Sequence, residues 1–270
     1  MTDKSVLESA RTEAAKQWNA RACGELEGSK DSIDYFRRVE ADRYAQQPWQ
    51  HEYFRFHDFA GRKVLEIGIG QGTDLLQFGK AGAHCHGVDI TDNHIALTNK
   101  NFDLHGIPVD IRKADATRLP FPDATFDCVY SFGVIHHIPE AEQVIAEVRR
   151  VLKPGGVLML AFYYKWSAFF LFSKLFAHGV LLGWLFTKGY AGTLATIETG
   201  ADGVGTKPYV KMYSKKDMAR LVSAFTVKDI SIHQLKADHF SRLFRWLIPD
   251  FLVRRLDGRL GWYVACKAEK

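Results

Sequence analysis

From Arg62 onward, short apolar runs alternate with amphipathic stretches. Lys63–Ile67, His84–Asp89, Val109–Lys113, Phe126–Ser131 and Val157–Tyr163 are brief and rich in β-branched or aromatic residues, which predicts strands. Thr73–Ala81, Asp92–His105 and Glu140–Leu152 carry apolar residues at helical spacing and predict the intervening helices. Gly82, Gly106-Ile107-Pro108 and Lys153-Pro154-Gly155-Gly156 punctuate the joins. Strands that alternate with helices build a mostly parallel sheet, covered on both faces and wound by right-handed crossovers. The expected fold class is therefore α/β and Rossmann-like.

The flanks of this core have a different pattern. Ser5 to Asn19 predicts an exposed helix leading to Trp18, and Ile33 to Phe59 is dense in aromatic residues. Helical spacing such as Tyr35/Val39 and Tyr53/Phe56 predicts that most of these pack as an N-terminal helical cap, while Arg37, Arg38 and Arg43 are candidates to meet a carboxylate. After Tyr163 comes the apolar stretch Trp166–Phe186, interrupted by Lys174, His178, Gly179 and Gly183. Lys174 at mid-bilayer would cost about 3 kcal/mol, so the reading preferred over membrane association through 166–186 is an apolar helical insertion covering the sheet's ligand edge. Thr199–Gly205 suits a lid hinge. Ser214-Lys215-Lys216-Asp217 has the form of a capping box opening a helix through Phe225. Thr226–His233 and Leu260–Lys267 predict two closing strands, separated by Phe240–Leu256. The expected divisions are a cap at 1–60, a core at 61–164, an insertion at 165–212 and a completion of the sheet at 213–270.

Composition narrows the partners. An apolar share of 47% and a charged share of 25% belong to an ordinary globular chain. A net charge of +5, spread along the sequence, forms neither a nucleic-acid stripe nor a polybasic tail. The four cysteines form no CxxC pair and none has a histidine at ligand spacing, so no metal site is expected. The first residues lack the apolar core of a signal peptide, which predicts a cytoplasmic protein.

The chemistry centres on Glu66-Ile67-Gly68-Ile69-Gly70-Gln71-Gly72, between the first strand and its helix. Such a glycine turn lets backbone approach a ligand closely. Thr73 stands where a dinucleotide fingerprint requires its third glycine, and no Gly-Lys-Ser/Thr follows to make a phosphate loop. Glu66 would repel a pyrophosphate but attract ammonium and sulfonium groups. Asp89, closing the second strand, is placed to accept ribose hydroxyls, and Asp115-Ala116, after the third, to meet the amine of an adenine.

These residues, together with Gly87-Val88-Asp89, Ala114-Asp115-Ala116, Leu119-Pro120-Phe121, Phe126–Ser131, Val134–Ile138 and Leu152–Gly156, resemble the class I S-adenosylmethionine-dependent methyltransferases over roughly Arg62–Tyr163, in the manner of the small-molecule, ubiquinone-biosynthesis type. The resemblance implies a seven-stranded sheet whose last strand runs antiparallel. It would set Glu66, Gly68, Gly70 and Gly72 around the methionine part, Asp89 on the ribose, Asp115 and Ala116 on the adenine, and Ser131 near the sulfonium. Gln71 and Ile90 complete the expected cofactor set. Ser131-Phe132-Gly133-Val134 replaces the Asn/Asp-Pro-Pro-Tyr of methyltransferases acting on planar amino groups, which speaks against nucleic acid as substrate. Methyl transfer needs alignment more than a dedicated catalytic group, and the candidates for such a role are Tyr35, Ser131, His136 and Tyr163.

Three functions fit. One is methyl transfer to a small, largely apolar molecule of secondary metabolism. Another is cyclisation of S-adenosylmethionine by its own α-amino group, giving azetidine-2-carboxylate and methylthioadenosine. The aromatic cap and apolar insertion are similar to the layout expected of azetidine-2-carboxylate synthases. The third is a non-catalytic cofactor-binding module with a membrane or protein partner.

Overall fold

Val64, Cys128, Tyr130, Met159 and Ala161 project to one side of the central strands, while Leu65, Val129, Leu158 and Leu160 project to the other. Successive side chains of a strand alternate faces, so strands that are apolar throughout must be covered on both. The computed structural model describes residues 4–199, 209–240 and 248–270. Its strands are β1 (Lys63–Ile67), β2 (His84–Asp89), β3 (Val109–Lys113), β4 (Phe126–Phe132), β5 (Leu152–Tyr163), β6 (Thr226–His233) and β7 (Tyr263–Glu269). They form one seven-stranded sheet in the order β3-β2-β1-β4-β5-β7-β6. The strands from β1 to β5 run parallel, and β7 is antiparallel to both neighbours.

Helices α4 (Thr73–Lys80) and α5 (Asp92–His105) follow β1 and β2, and α6 (Ala141–Val151) precedes β5. In α6 the buried residues Ala141, Val144, Ile145, Val148 and Val151 recur at three and four, forming one apolar stripe against the sheet. On the opposite face, Leu75, Leu76 and Phe78 of α4 meet Phe54 and Phe56 from the N-terminal elements. Those elements are α1 (Lys4–Ala20), α2 (Ile33–Gln46) and α3 (Trp49–Phe54). Most aromatic residues of the cap do pack: Tyr35, Phe36, Phe54 and Phe56 are buried.

Three boundaries differ from the expected ones by three residues or more. β5 starts at Leu152, directly from α6, because the register slips between Phe126↔Leu152 and Cys128↔Val157 and the proline-glycine stretch is absorbed there. β7 starts at Tyr263, since α10 (Asp250–Leu260) runs on through Leu260, with the Asp257 carboxylate accepting from the Leu235 amide. Helix α9 (Lys215–Leu221) does open with the predicted capping box at Ser214 and Asp217, but stops before Phe225.

The apolar insertion forms a π-helix (Phe169–Leu181) followed by α7 (Trp184–Thr187) and α8 (Gly189–Thr199). Phe169 anchors it on Trp262 at 4.7 Å between rings, Phe170 and Leu194 are buried, and the Lys174 ammonium donates to the Thr196 carbonyl at 3.1 Å. The expected hinge lies, from residue 200, outside the described residues. Among the described residues, no helix is long and apolar enough to cross a membrane.

Candidate functional site

The strand order reverses between β1 and β4, and open α/β sheets bind ligands in the crevice at such a switch point. A cavity of about 350 Å³ occupies that crevice, beyond the carboxyl ends of the strands and beneath α1 and α2. Glu66, Gly68, Gly70, Gln71, Asp89, Ile90, Asp115, Ala116 and Tyr163 all line it.

Gly68 turns the chain out of β1 at φ +78°, and a Cβ there would lie 2.3 Å from Val134 Cγ2. Gly70, at φ +54°, has no protein atom within 4 Å of its would-be Cβ, leaving its flank open to a ligand. Gly68→Ala is expected to lower stability by about 1–3 kcal/mol in urea titrations, through overpacking and a disfavoured φ. Adding Val134→Ala should recover the packing part but leave about 1 kcal/mol of backbone strain.

Glu66 is buried, and its Oε2 has no hydrogen-bond partner. Burial, reinforced by the neighbouring Asp74 charge, holds this carboxyl well above the usual range. Asp74, from the first turn of α4, accepts from Arg43 Nε at 3.1 Å and Nη2 at 2.5 Å, from Tyr44 at 2.9 Å and from Tyr130 at 2.8 Å. Burial and the Asp74 charge raise both phenols far above their ordinary range, so they remain protonated donors. Arg43 also lies 4.5 Å from the centroid of the Phe132 ring. Of the three cap arginines, only Arg43 reaches the cavity; Arg37 pairs with Asp34 on the surface and Arg38 donates to the Glu27 carbonyl.

Asp89 and Asp115 are held by the same local device. Asp89 Oδ1 accepts from the amide and hydroxyl of Thr91, both at 2.9 Å; Asp115 Oδ1 accepts from the amide and hydroxyl of Thr117, at 2.8 and 2.7 Å. Each carboxylate thus closes an Asp-X-Thr turn with one oxygen. Asp89 Oδ2 meets His94 Nδ1 at 3.0 Å, and His94 Nε2, on the cavity wall, is buried without a partner. Asp89 is therefore partly engaged by its own chain, leaving less than the full carboxylate for a ribose. Taken together, the unpartnered Glu66 and His94 atoms, the open flank of Gly70 and two fixed aspartates fit an adenosyl ligand bearing positive charge.

Four expected positions fall outside the cavity wall. Gly72 serves the turn at φ +74° and packs on Thr98. Ser131 is fully buried with its hydroxyl donating to the Ile67 carbonyl at 2.9 Å, so it ties β4 to β1 behind the wall. Tyr35 is fully buried and donates to Gln71 Oε1 at 2.8 Å, positioning a cavity residue from behind. His136 is buried against His137 and Tyr163, and burial followed by the His137 charge depresses its pKa well below the usual range, so it stays neutral. Among the described residues, the apolar insertion contributes none to the wall, which corrects the expectation that 166–186 covers the ligand edge. It docks instead on Trp262, just before β7, where Phe169 meets it at 4.7 Å between rings.

The wall has further members that pattern alone passed over: Trp18, Gln47, His94, Phe132, His137 and Tyr263. His137 Nδ1 donates to the Tyr209 carbonyl at 2.8 Å, and its ring lies 5.9 Å from Trp18. A repeated Asp-X-Thr after consecutive strands was the available signal for the acidic part of the cavity wall.

A doubly wound sheet with acids at consecutive strand ends and a glycine turn at its switch point defines the nucleoside-binding class of α/β domains. Residues 65–160 match the family described as a methyltransferase domain. The proteins this chain is similar to include S-adenosylmethionine-dependent methyltransferases, in sequence and in fold. The chain is similar to a sterol 24-C-methyltransferase of Gibberella zeae, 30% identical over 145 residues, covering 52% of this chain and 37% of that protein. It is also similar to phosphoethanolamine N-methyltransferase 2 of Caenorhabditis elegans, 34% identical over 114 residues, covering 41% and 26% respectively. The chain thus matches well under half the length of these relatives. A methyltransferase structure from Methanosarcina mazei superposes with a TM-score of 0.57 at 21% identity, covering 80% of this chain and 96% of that one. That likeness shows the fold.

Proposed function

We propose that the chain transfers the methyl group of S-adenosylmethionine to a small, largely apolar metabolite. The observation that carries this reading is the make-up of the cavity. One part is acidic and glycine-lined, at Glu66, Gly68, Gly70, Gln71, Asp89, Ile90, Asp115 and Ala116; the other is aromatic, at Trp18, Phe132, Tyr163 and Tyr263. In this reading the first part holds the cofactor. Gln71 is itself fixed by Tyr35 and by donation to the Cys23 carbonyl at 3.0 Å.

Bound there, S-adenosylmethionine would supply an electrophilic methyl carbon on a positive sulfur. The acceptor's lone pair forms the new bond as the carbon–sulfur bond breaks, and its electron pair returns to sulfur. The protein's part is alignment and exclusion of water. The aromatic faces can stabilise a desolvated sulfonium by about 1–2 kcal/mol. The names of the sterol and phosphoethanolamine relatives support a small-molecule acceptor.

Incubation with S-adenosylmethionine, first alone and then with a metabolite extract, tests the reading. Adenosylhomocysteine formed only with the extract is the expected result. Methylthioadenosine formed without any acceptor would replace methyl transfer by cyclisation, in which the α-amino nitrogen bonds to Cγ as the Cγ–S bond breaks and a proton leaves. Binding with no turnover in either mixture would leave a non-catalytic module.

A further inference from the structure

The insertion is apolar on both sides but packed on only one. Phe170, Ala177 and Leu194 are buried, whereas Leu182 is 63% and Phe186 86% exposed, with Phe172, Phe176, Val180 and Leu181 exposed around them. Such a patch on an isolated chain marks an interaction surface. Its charge is mainly positive as well: from Lys165 to Thr199 there are three lysines, Lys165, Lys174 and Lys188, against a single acid, Glu198. Lys188 Nζ lies 4.1 Å from the Trp184 ring centroid and Lys165 Nζ 5.3 Å from that of Trp166, so ammonium groups flank the rings.

Helix α10 extends the same chemistry. Its inner residues Val253, Leu256 and Leu260 pack with Ala168 and Phe240, and Phe240 meets Phe172 of the π-helix at 5.4 Å between rings. Its outer face exposes Phe251, Arg254, Arg255 and Arg259, which share one side at helical spacing, with a single acid, Asp250, in the first turn. Two adjoining elements therefore present aromatic and aliphatic side chains edged by cations.

We infer that this face docks on the surface of an anionic lipid bilayer. The rings and leucines enter the headgroup–acyl boundary while the lysines and arginines meet lipid phosphates, the division of labour of interfacial amphipathic elements. Spanning is ruled out for the described helices by length and hydropathy. A second copy fits less well, because a two-fold contact would set this cationic rim against itself. Among the described side chains, none of 166–199 lines the cavity, so the lipid-facing surface and the ligand site are separate.

Vesicle co-sedimentation of the full chain tests this, with phosphatidylcholine vesicles against vesicles of phosphatidylcholine mixed with phosphatidylserine. Binding is expected to the mixed vesicles and to weaken with added salt. The pairs Leu182→Ser/Phe186→Ser and Arg254→Glu/Arg255→Glu should each lower the bound fraction about tenfold or more. Circular dichroism and S-adenosylmethionine affinity should be unchanged, because all four side chains are exposed and outside the cavity wall. Absence of binding to the mixed vesicles, or binding by both pairs equal to that of the parent, would overturn the inference. So would sedimentation equilibrium showing that the same pairs abolish a dimer of a chain that ignores vesicles.

Discussion

Asp74→Ala is expected to lower the free energy of unfolding by about 3–5 kcal/mol, the usual cost of removing one partner of a buried ion pair. The carboxylate is only 4% exposed and accepts from Arg43, Tyr44 and Tyr130. Truncation leaves a guanidinium that is largely enclosed, plus two phenol donors without their acceptor, each costing about 1–3 kcal/mol if no substitute forms. Asp74→Asn, which keeps an acceptor oxygen, should lose less. Urea titration of both variants checks the order, and a loss below about 1 kcal/mol for the alanine would show that Arg43 is not held by the pair. The same variant should widen the cavity's size tolerance, because Arg43 braces Phe132 at 4.5 Å.

Glu66→Gln should weaken S-adenosylmethionine binding by about 1–3 kcal/mol, through loss of a charge-assisted contact. It should also abolish a pH dependence that the parent shows. In the free protein, burial and then the Asp74 charge hold the Glu66 proton well above the ordinary carboxylate range. A cationic ligand beside it favours the ionised form, so binding expels that proton. Affinity therefore rises with pH from the ordinary glutamate range up through the raised value, then levels. The folding contribution has the opposite sign. A carboxyl raised in the native state stabilises the fold below its unfolded value, and that contribution is lost as pH rises through the native one. Calorimetry in buffers of different ionisation enthalpy should detect about one proton released by the parent and none by the variant. Equal proton release by both would move the effect away from Glu66.

The core of the fold was legible because its strands are apolar on both faces and its helices are capped by recognisable residues. β1, β2, β3 and α5 occupy their expected spans, α5 opening at Thr91 and closing at Gly106. The turn and the acids were legible as well, since strand ends of a parallel sheet converge on one edge. Side-chain direction was less so. Ser131 and Phe132 are neighbours in sequence, but the first donates to the Ile67 carbonyl while the second lines the cavity. One residue in the pleat decides between them, and a motif does not report it. The insertion was misplaced for a related reason: apolar composition says that a surface is to be covered, not which one. Here Phe169 found Trp262, just before β7 and outside the cavity wall.

The reversal of strand order between β1 and β4 has a consequence for how such a protein can change. Glu66, Asp89 and Asp115 belong to the β1–β2–β3 side, whereas Phe132, Tyr163 and Tyr263 belong to β4, β5 and β7. Under the proposed reading, what is gripped and what is modified are assigned to opposite halves of one sheet. Substitutions at Asp115 and Tyr263 should then combine with little coupling, as separated sites do. A lineage, or a library, could exchange the residues of one half repeatedly and pass through a new substrate range without surrendering its hold on the cofactor.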